Sequence, residues 1–234
     1  MKRLKEAQKD LLESLKKLYS TGIYSDLIIS SSAKSFPVHR AIICPRCEFF
    51  AAACLIQYKL MIELHTTQEA TKGVISLPDD DPLAVEMMVQ YFYNLDYCKT
   101  TPESNSDRSH DDLCQTTEEH SDSGDIPDIL LHAKVYAIAE KYAINGLKSL
   151  ARANFGTTAL RCWDTDDFLN AIDEAYTSTL DSDRGLRDIV LKVLAGHEEL
   201  LDRDEMKKLL RRLGSLAYDL VMHYHQQKDK PDVG

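Results

Sequence analysis

No stretch of this chain has the roughly 20 consecutive apolar residues that a bilayer crossing demands. Its first residues, MKRLKEAQKDLLESLKK, lack the apolar core that marks a secretory signal. Both absences point to a soluble chain inside the cell, in the cytoplasm, the nucleus or both, with no membrane partner. An excess of positive charge is also missing: 28 lysines and arginines stand against 38 acids, a net charge of −10. A phosphate-binding surface needs a basic face, which argues against direct nucleic-acid binding. The 6 cysteines, scattered at positions 44, 47, 54, 98, 114 and 162, do not form the framework of a small secreted disulfide protein, so reduced thiols are expected. Catalytic signatures are absent too. There is no G-x-S-x-G, no P-loop, no glycine-rich nucleotide fingerprint and no paired His-carboxylate motif, so neither a catalytic residue nor a cofactor is expected.

What is present suffices for a sizeable core: 234 residues, 44% of them hydrophobic. Residues 2–19 read as an amphipathic helix, with Leu4, Leu11 and Leu18 seven apart and Leu15 between them, and Gly22 placed to stop it. Two roles are open to this helix, packing on its own domain or crossing to a partner subunit, and two heptads are too few for a coiled coil unaided. The stretch Tyr24 to Leu55 then reads as strand, polar turn, short strand and helix. Within it, Cys44-Pro45-Arg46-Cys47 is formally C-x-x-C, but a single such pair supplies only two of the four ligands of a structural zinc, so no metal is expected. Asp81 is placed to cap a helix that has Pro82 at its first position and a buried stripe of Val85, Met88, Val89 and Phe92.

Thr100 to Asp125 is different material. Eight acids against Arg108 give this insert −7 of the chain's −10, a composition that predicts disorder. Ser104, Ser109 and Thr116 each have an acid three residues on, the pattern an acidophilic kinase takes. Structure is expected to resume at Ile126, with two helices broken at Asn145-Gly146, and three more over Asp166 to Thr179, Arg184 to His197 and Asp204 to His225. Asp166, Ser182 or Asp183, and Asp204 are the caps these helices suggest.

Several spaced motifs carry a resemblance. Ser25-Asp26-Leu27, Phe36, Val38-His39-Arg40, Cys44-Pro45-Arg46, Phe49-Phe50-Ala51-Ala52-Ala53-Cys54, the run Gln90, Tyr91, Tyr93, Asp96, Tyr97, and His132 to Tyr142 occur in the order found in the BTB/POZ domain. The likeness is to the form common in filamentous fungi, and it covers about residues 19–160. It implies an α+β fold, a small sheet flanked by a cluster of helices, here with an all-helical C-terminal extension. The organisation expected is an N-terminal amphipathic helix over 1–19, the BTB/POZ domain over 20–160 with a disordered acidic insert at 99–126, a helical extension over 161–228 and a disordered tail at 229–234. His39 and Arg40 are expected to serve packing and hydrogen bonding.

The same resemblance implies a non-catalytic protein-interaction module. It also implies dimerisation through the N-terminal helix and sheet edge, with Leu4, Leu11, Leu15 and Leu18 as the expected dimer contacts. Adaptors of this kind that bind cullin scaffolds use a hydrophobic-x-Glu element near residues 55–72, where this chain departs from the pattern: it is longer and lacks the glycines. Met61-Ile62-Glu63 fits that element by pattern and Glu69 by position, and YKLMIEL either extends the helix or forms an extra strand. A ubiquitin-ligase adaptor recruiting an unidentified protein substrate is thus the leading expectation. A scaffold or transcription-associated regulator without cullin binding is the alternative.

Overall fold

The computed structural model describes residues 2–63, 73–97 and 128–228. Glu69, the insert with Ser104, Ser109 and Thr116, and the tail lie outside them. Three strands form the sheet: β1 (Leu27–Ser31), β2 (Ser35–Val38) and β3 (Gly73–Leu77). The order is β2-β1-β3, with β1 antiparallel to β2, Leu27 opposite Val38, and parallel to β3, Leu27 opposite Gly73. One face is apolar because the side-chain period of a strand is two. Leu27, Ile29, Phe36, Val38, Ile75 and Leu77 are buried, and their neighbours Ser35, Pro37, Val74 and Ser76 are exposed. Pro37 is tolerated because β2 is an edge strand.

Ten α-helices accompany this sheet among the described residues: α1 (Lys2–Thr21), α2 (Arg40–Ile43), α3 (Glu48–Glu63), α4 (Pro82–Asn94), α5 (Ile129–Lys141), α6 (Asn145–Cys162), α7 (Asp166–Thr177), α8 (Arg187–Gly196), α9 (Asp204–Arg212) and α10 (Gly214–Lys228). The α+β class expected from the sequence is what the chain adopts. Gly22 ends α1 in the left-handed region (φ 62), donating its N–H to the Leu18 carbonyl at 2.9 Å. α4 starts as its sequence predicts. Asp81 Oδ1 accepts from the Leu83 and Ala84 amides at 3.0 and 3.1 Å, and Pro82 occupies the first turn. Burial alone would raise the Asp81 carboxyl, but Lys134 and those amides outweigh it and hold it below the ordinary carboxylate range.

The helical hairpin of α5 and α6 turns at Tyr142 to Ile144, with Ala143 at φ 54, so the break falls just before Asn145-Gly146 and those two residues open α6. Gly146 is needed there because a Cβ would stand 2.1 Å from the Tyr91 hydroxyl. Three further expectations are corrected. The cap of α7 is Thr165, whose Oγ1 accepts from the Phe168 amide at 3.3 Å, and not Asp166. α8 begins at Arg187 and not Arg184, with Leu186 at its cap position and no side-chain cap from Ser182 or Asp183. The buried Arg187 guanidinium gathers the segment before α8 by bonding Asp181 Oδ1 (2.7 Å) and the carbonyls of Thr179 and Tyr176. The single helix expected over Asp204 to His225 is two, interrupted at Leu213, and Asp204 is a first-turn residue of α9 with no capping bond. One hydrophobic core runs unbroken from Leu27 in the sheet to Leu220 in α10, so the C-terminal helices share the core of the rest.

Candidate functional site

The motif residues of the opening stretch converge on a buried knot. His39 Nε2 stands 2.7 Å from the Ile23 carbonyl oxygen. A carbonyl only accepts, so Nε2 carries the hydrogen and Nδ1 accepts from the Tyr93 hydroxyl at 2.9 Å. The same hydroxyl accepts the His39 backbone N–H at 2.9 Å. Burial pushes Tyr93 up to about 12, which keeps its proton in place for this bond. Asp26 acts alongside: its Oδ1 accepts the Arg40 amide at 2.8 Å and so caps α2, where His39 supplies no capping bond of its own. β1, α2, α4 and the end of α1 are thereby tied together by Asp26, His39 and Tyr93.

Arg46 donates to the Phe92 carbonyl and lies over the Tyr91 and Phe92 rings at 5.3 and 5.4 Å. Phe50 packs edge-on to Phe92 and stacks on Tyr142, with ring centroids 6.0 and 5.8 Å away. The two sulfurs of C-x-x-C turn to different neighbours. Cys44 Sγ is 3.5 Å from Cys54 Sγ, and Cys47 Sγ faces the Tyr142 carbonyl at 3.4 Å. Burial, then the neighbouring Cys54, push the Cys44 thiol up to about 12, a protonated group and a poor nucleophile or metal ligand. Among the described residues no three His, Cys, Asp or Glu side chains converge as metal ligands, and no helix is long and apolar enough to cross a membrane. These residues hold the fold together.

The BTB/POZ domain family matches the chain over residues 15–158, more than half of its length. The chain belongs to the BTB/POZ family. BTB/POZ domains are protein-interaction modules, so the functional question becomes which parts of this surface are left for a partner. No curated protein matches the chain.

The BTB/POZ match begins at Leu15, the point where α1 meets its own domain. Leu15, Leu18 and Tyr19 pack against the core, and the Tyr19 ring lies 5.5 Å from that of Tyr93. The earlier half of α1 is different: Leu4 and Leu11 are 64% and 62% exposed. The leucine stripe read as one surface is therefore two, an inner part seated on α4 and an outer part in water. α3 shows a similar change along its length. Cys54 is buried, and Leu55 and Ile56 just beyond it are 62% and 60% exposed. Of YKLMIEL, Tyr58 to Glu63 extend this helix, which carries Met61, Ile62 and Glu63 in its final turn.

A further surface of the BTB/POZ chain was not signalled by the sequence reading, a groove between α6 and α8 bordered by Arg152 and Lys192. Periodicity finds the face of α6 that is apolar enough to bury, here Leu147, Ala151, Phe155 and Ala159. The opposite face mixes glycine, alanine and polar residues and passes for ordinary surface.

Proposed function

We propose that this BTB/POZ protein is a homodimeric, non-catalytic adaptor that couples a protein substrate to a cullin-based ubiquitin ligase. The observation that carries the dimer is the outer half of α1. A 20-residue helix held at one end by Leu15, Leu18 and Tyr19 leaves Leu4 and Leu11 in water. A second copy of the same helix offers them a matching apolar surface, at roughly 1.5–3 kcal/mol for each leucine fully buried. Family membership supports the cullin contact, as do the exposed Leu55 and Ile56 leading toward Met61-Ile62-Glu63.

Light scattering on the purified chain at micromolar concentration reads the first half of the proposal: a strict monomer removes it. Capture of the cullin N-terminal domain from the same organism, comparing wild type with Glu63→Ala and Glu69→Ala, reads the second. Loss in one of the two variants assigns the contact. No capture by the wild type leaves a dimeric scaffold.

A further inference from the structure

α6 and α8 lie side by side, and the faces they turn toward each other do not close. Arg152, Ala153, Gly156 and Leu160 follow three- and four-residue spacing along α6, and Ile189, Lys192 and Val193 do so along α8, so each set shares one helical face. Between them is a groove of about 730 Å³ with the half-buried Gly156 and Ile189 and the buried Val193 at its floor and the exposed Ala153 beside them. Gly156 sets its depth. A Cβ there would sit 3.5 Å from Ile189 Cδ1, ordinary contact, so alanine fits and would favour the helix by about 1 kcal/mol. With glycine the helix forgoes that stability and the floor stays low.

The charged side chains lining the groove are of one sign, Arg152 and Lys192, with no carboxylate among the lining residues. Several cations in and beside these helices are matched among the described residues, Lys148 with Glu140 and Asp183, Arg184 with Asp188 and Asp219, Arg203 with Asp166 and Arg212 with Asp173, whereas Arg161, Lys208 and Arg211 are not. Arg152 on one wall and Lys192 on the other pair with no carboxylate among the described residues, in a chain whose net charge is −10. An apolar trough flanked by two unmatched cations fits a ligand of complementary make-up, apolar along one side and acidic at its edges. Two cations on an acidic body are too few for a nucleic-acid backbone.

We infer that the groove between α6 and α8 captures a short acidic amphipathic helix of a partner protein. Apolar side chains of that helix enter above Gly156, and its carboxylates meet Arg152 and Lys192. The lining face of α6 from Ser149 to Leu160 is about 16 Å long, which seats about three turns with anchors at i, i+3 or i+4, and i+7. The groove involves neither α1 nor the end of α3, so this inference stands apart from the dimer and from the cullin contact. It supplies what an adaptor otherwise lacks, a place for the recruited protein.

The test is built in. Trp163 is the only tryptophan, and its ring stacks on that of His197 at 3.8 Å, at one end of the groove. A phage-displayed library of random 15-residue peptides is selected on the full chain. Enriched sequences free of tryptophan are synthesised and titrated against it, with Trp163 emission as the readout. The expected result is peptides with apolar residues at helical spacing and at least two acids, binding that weakens with salt, and at least tenfold weaker binding to Gly156→Leu, which fills the groove. Arg152→Glu/Lys192→Glu is expected to lose binding by a similar factor. Circular dichroism and thermal melts establish that both variants fold, and leucine at 156 favours the helix over glycine. Failure to enrich any peptide, enrichment without acids, or undiminished binding to folded Gly156→Leu overturns the inference. So does a dimer that Gly156→Leu dissociates and Leu4→Glu/Leu11→Glu does not, because a second copy would then fill the groove.

Discussion

Replacing Tyr93 by phenylalanine removes one oxygen atom from a side chain with no solvent exposure. That oxygen makes two bonds, accepting the His39 N–H at 2.9 Å and donating to His39 Nδ1 at 2.9 Å. The ring remains, so no cavity of consequence opens, and the change isolates hydrogen bonding. A buried donor and a buried acceptor are left without a partner, at about 1–3 kcal/mol each when unmet. Against this, phenylalanine no longer has a hydroxyl to desolvate, and a net loss of about 2 kcal/mol is expected. For a chain of this length that is a fall in Tm of about 4–8 °C. In urea the midpoint should move to lower concentration with an unchanged slope. A cycle with His39→Ala sharpens the test, since the tyrosine change should then cost about 1 kcal/mol less in the alanine background than in the wild type. A Tyr93→Phe variant within about 0.5 kcal/mol of wild type, the range of an ordinary surface change, would refute the claim that the V-H-R motif works through this knot.

Asp81→Ala removes the α4 cap and the 2.7 Å pair with Lys134 and should cost about 1–2 kcal/mol in denaturant titration, while Asp81→Asn keeps most of the cap. Because the folded carboxyl lies below its ordinary 3.8, its ionic contribution is complete above that pH and lost as pH falls through the depressed value, so the gap between wild type and Asp81→Asn should close on acidification. At the alkaline end burial raises Tyr93 and Tyr136 from 10.0 to about 12, the latter with help from Asp183. The unfolded chain then gives up protons that the native chain retains, so stability should fall between about pH 10 and pH 12, with late tyrosinate absorbance rising together with loss of circular dichroism. Leu4→Glu/Leu11→Glu should halve the mass found by light scattering and leave Tm, measured on the isolated monomer, unchanged, because neither side chain is buried in its own chain.

The parts of the fold legible in the sequence are those set by local physics. The two-residue period of β1 to β3, the Asp81-Pro82 start of α4 and the Gly22 stop of α1 each rest on residues within a turn of one another. Where non-neighbouring residues decide, the reading slipped. Thr165 and Asp166 are both competent caps, and the backbone direction entering α7 chooses between them. Arg187 looks like a surface cation until Asp181, Thr179 and Tyr176 fold back around it. The break between α9 and α10 is hidden for a different reason. Met206, Leu209, Leu213, Leu216 and Leu220 are all buried and keep three- and four-residue spacing straight through the interruption, so hydrophobic period alone reads one helix. Gly214 was the contrary signal.

The same division separates the family motif from the interaction sites. Asp26, His39, Tyr93 and Arg46 are each satisfied inside the chain, which is why they identify the fold and say nothing about a partner. Candidate partner residues have the opposite property: the folded chain does not need them. Leu4, Leu11, Leu55 and Ile56 place apolar surface in water, Gly156 gives up helix stability, and Arg152 and Lys192 are unmatched charges. Damage to the first group should therefore lower Tm and every association together, whereas damage to the second should remove one association at a time with Tm unchanged or raised. A set of variants in which loss of dimer, loss of cullin capture and loss of peptide binding each tracked the fall in Tm would show that these surfaces are incidental to the fold and are not its purpose.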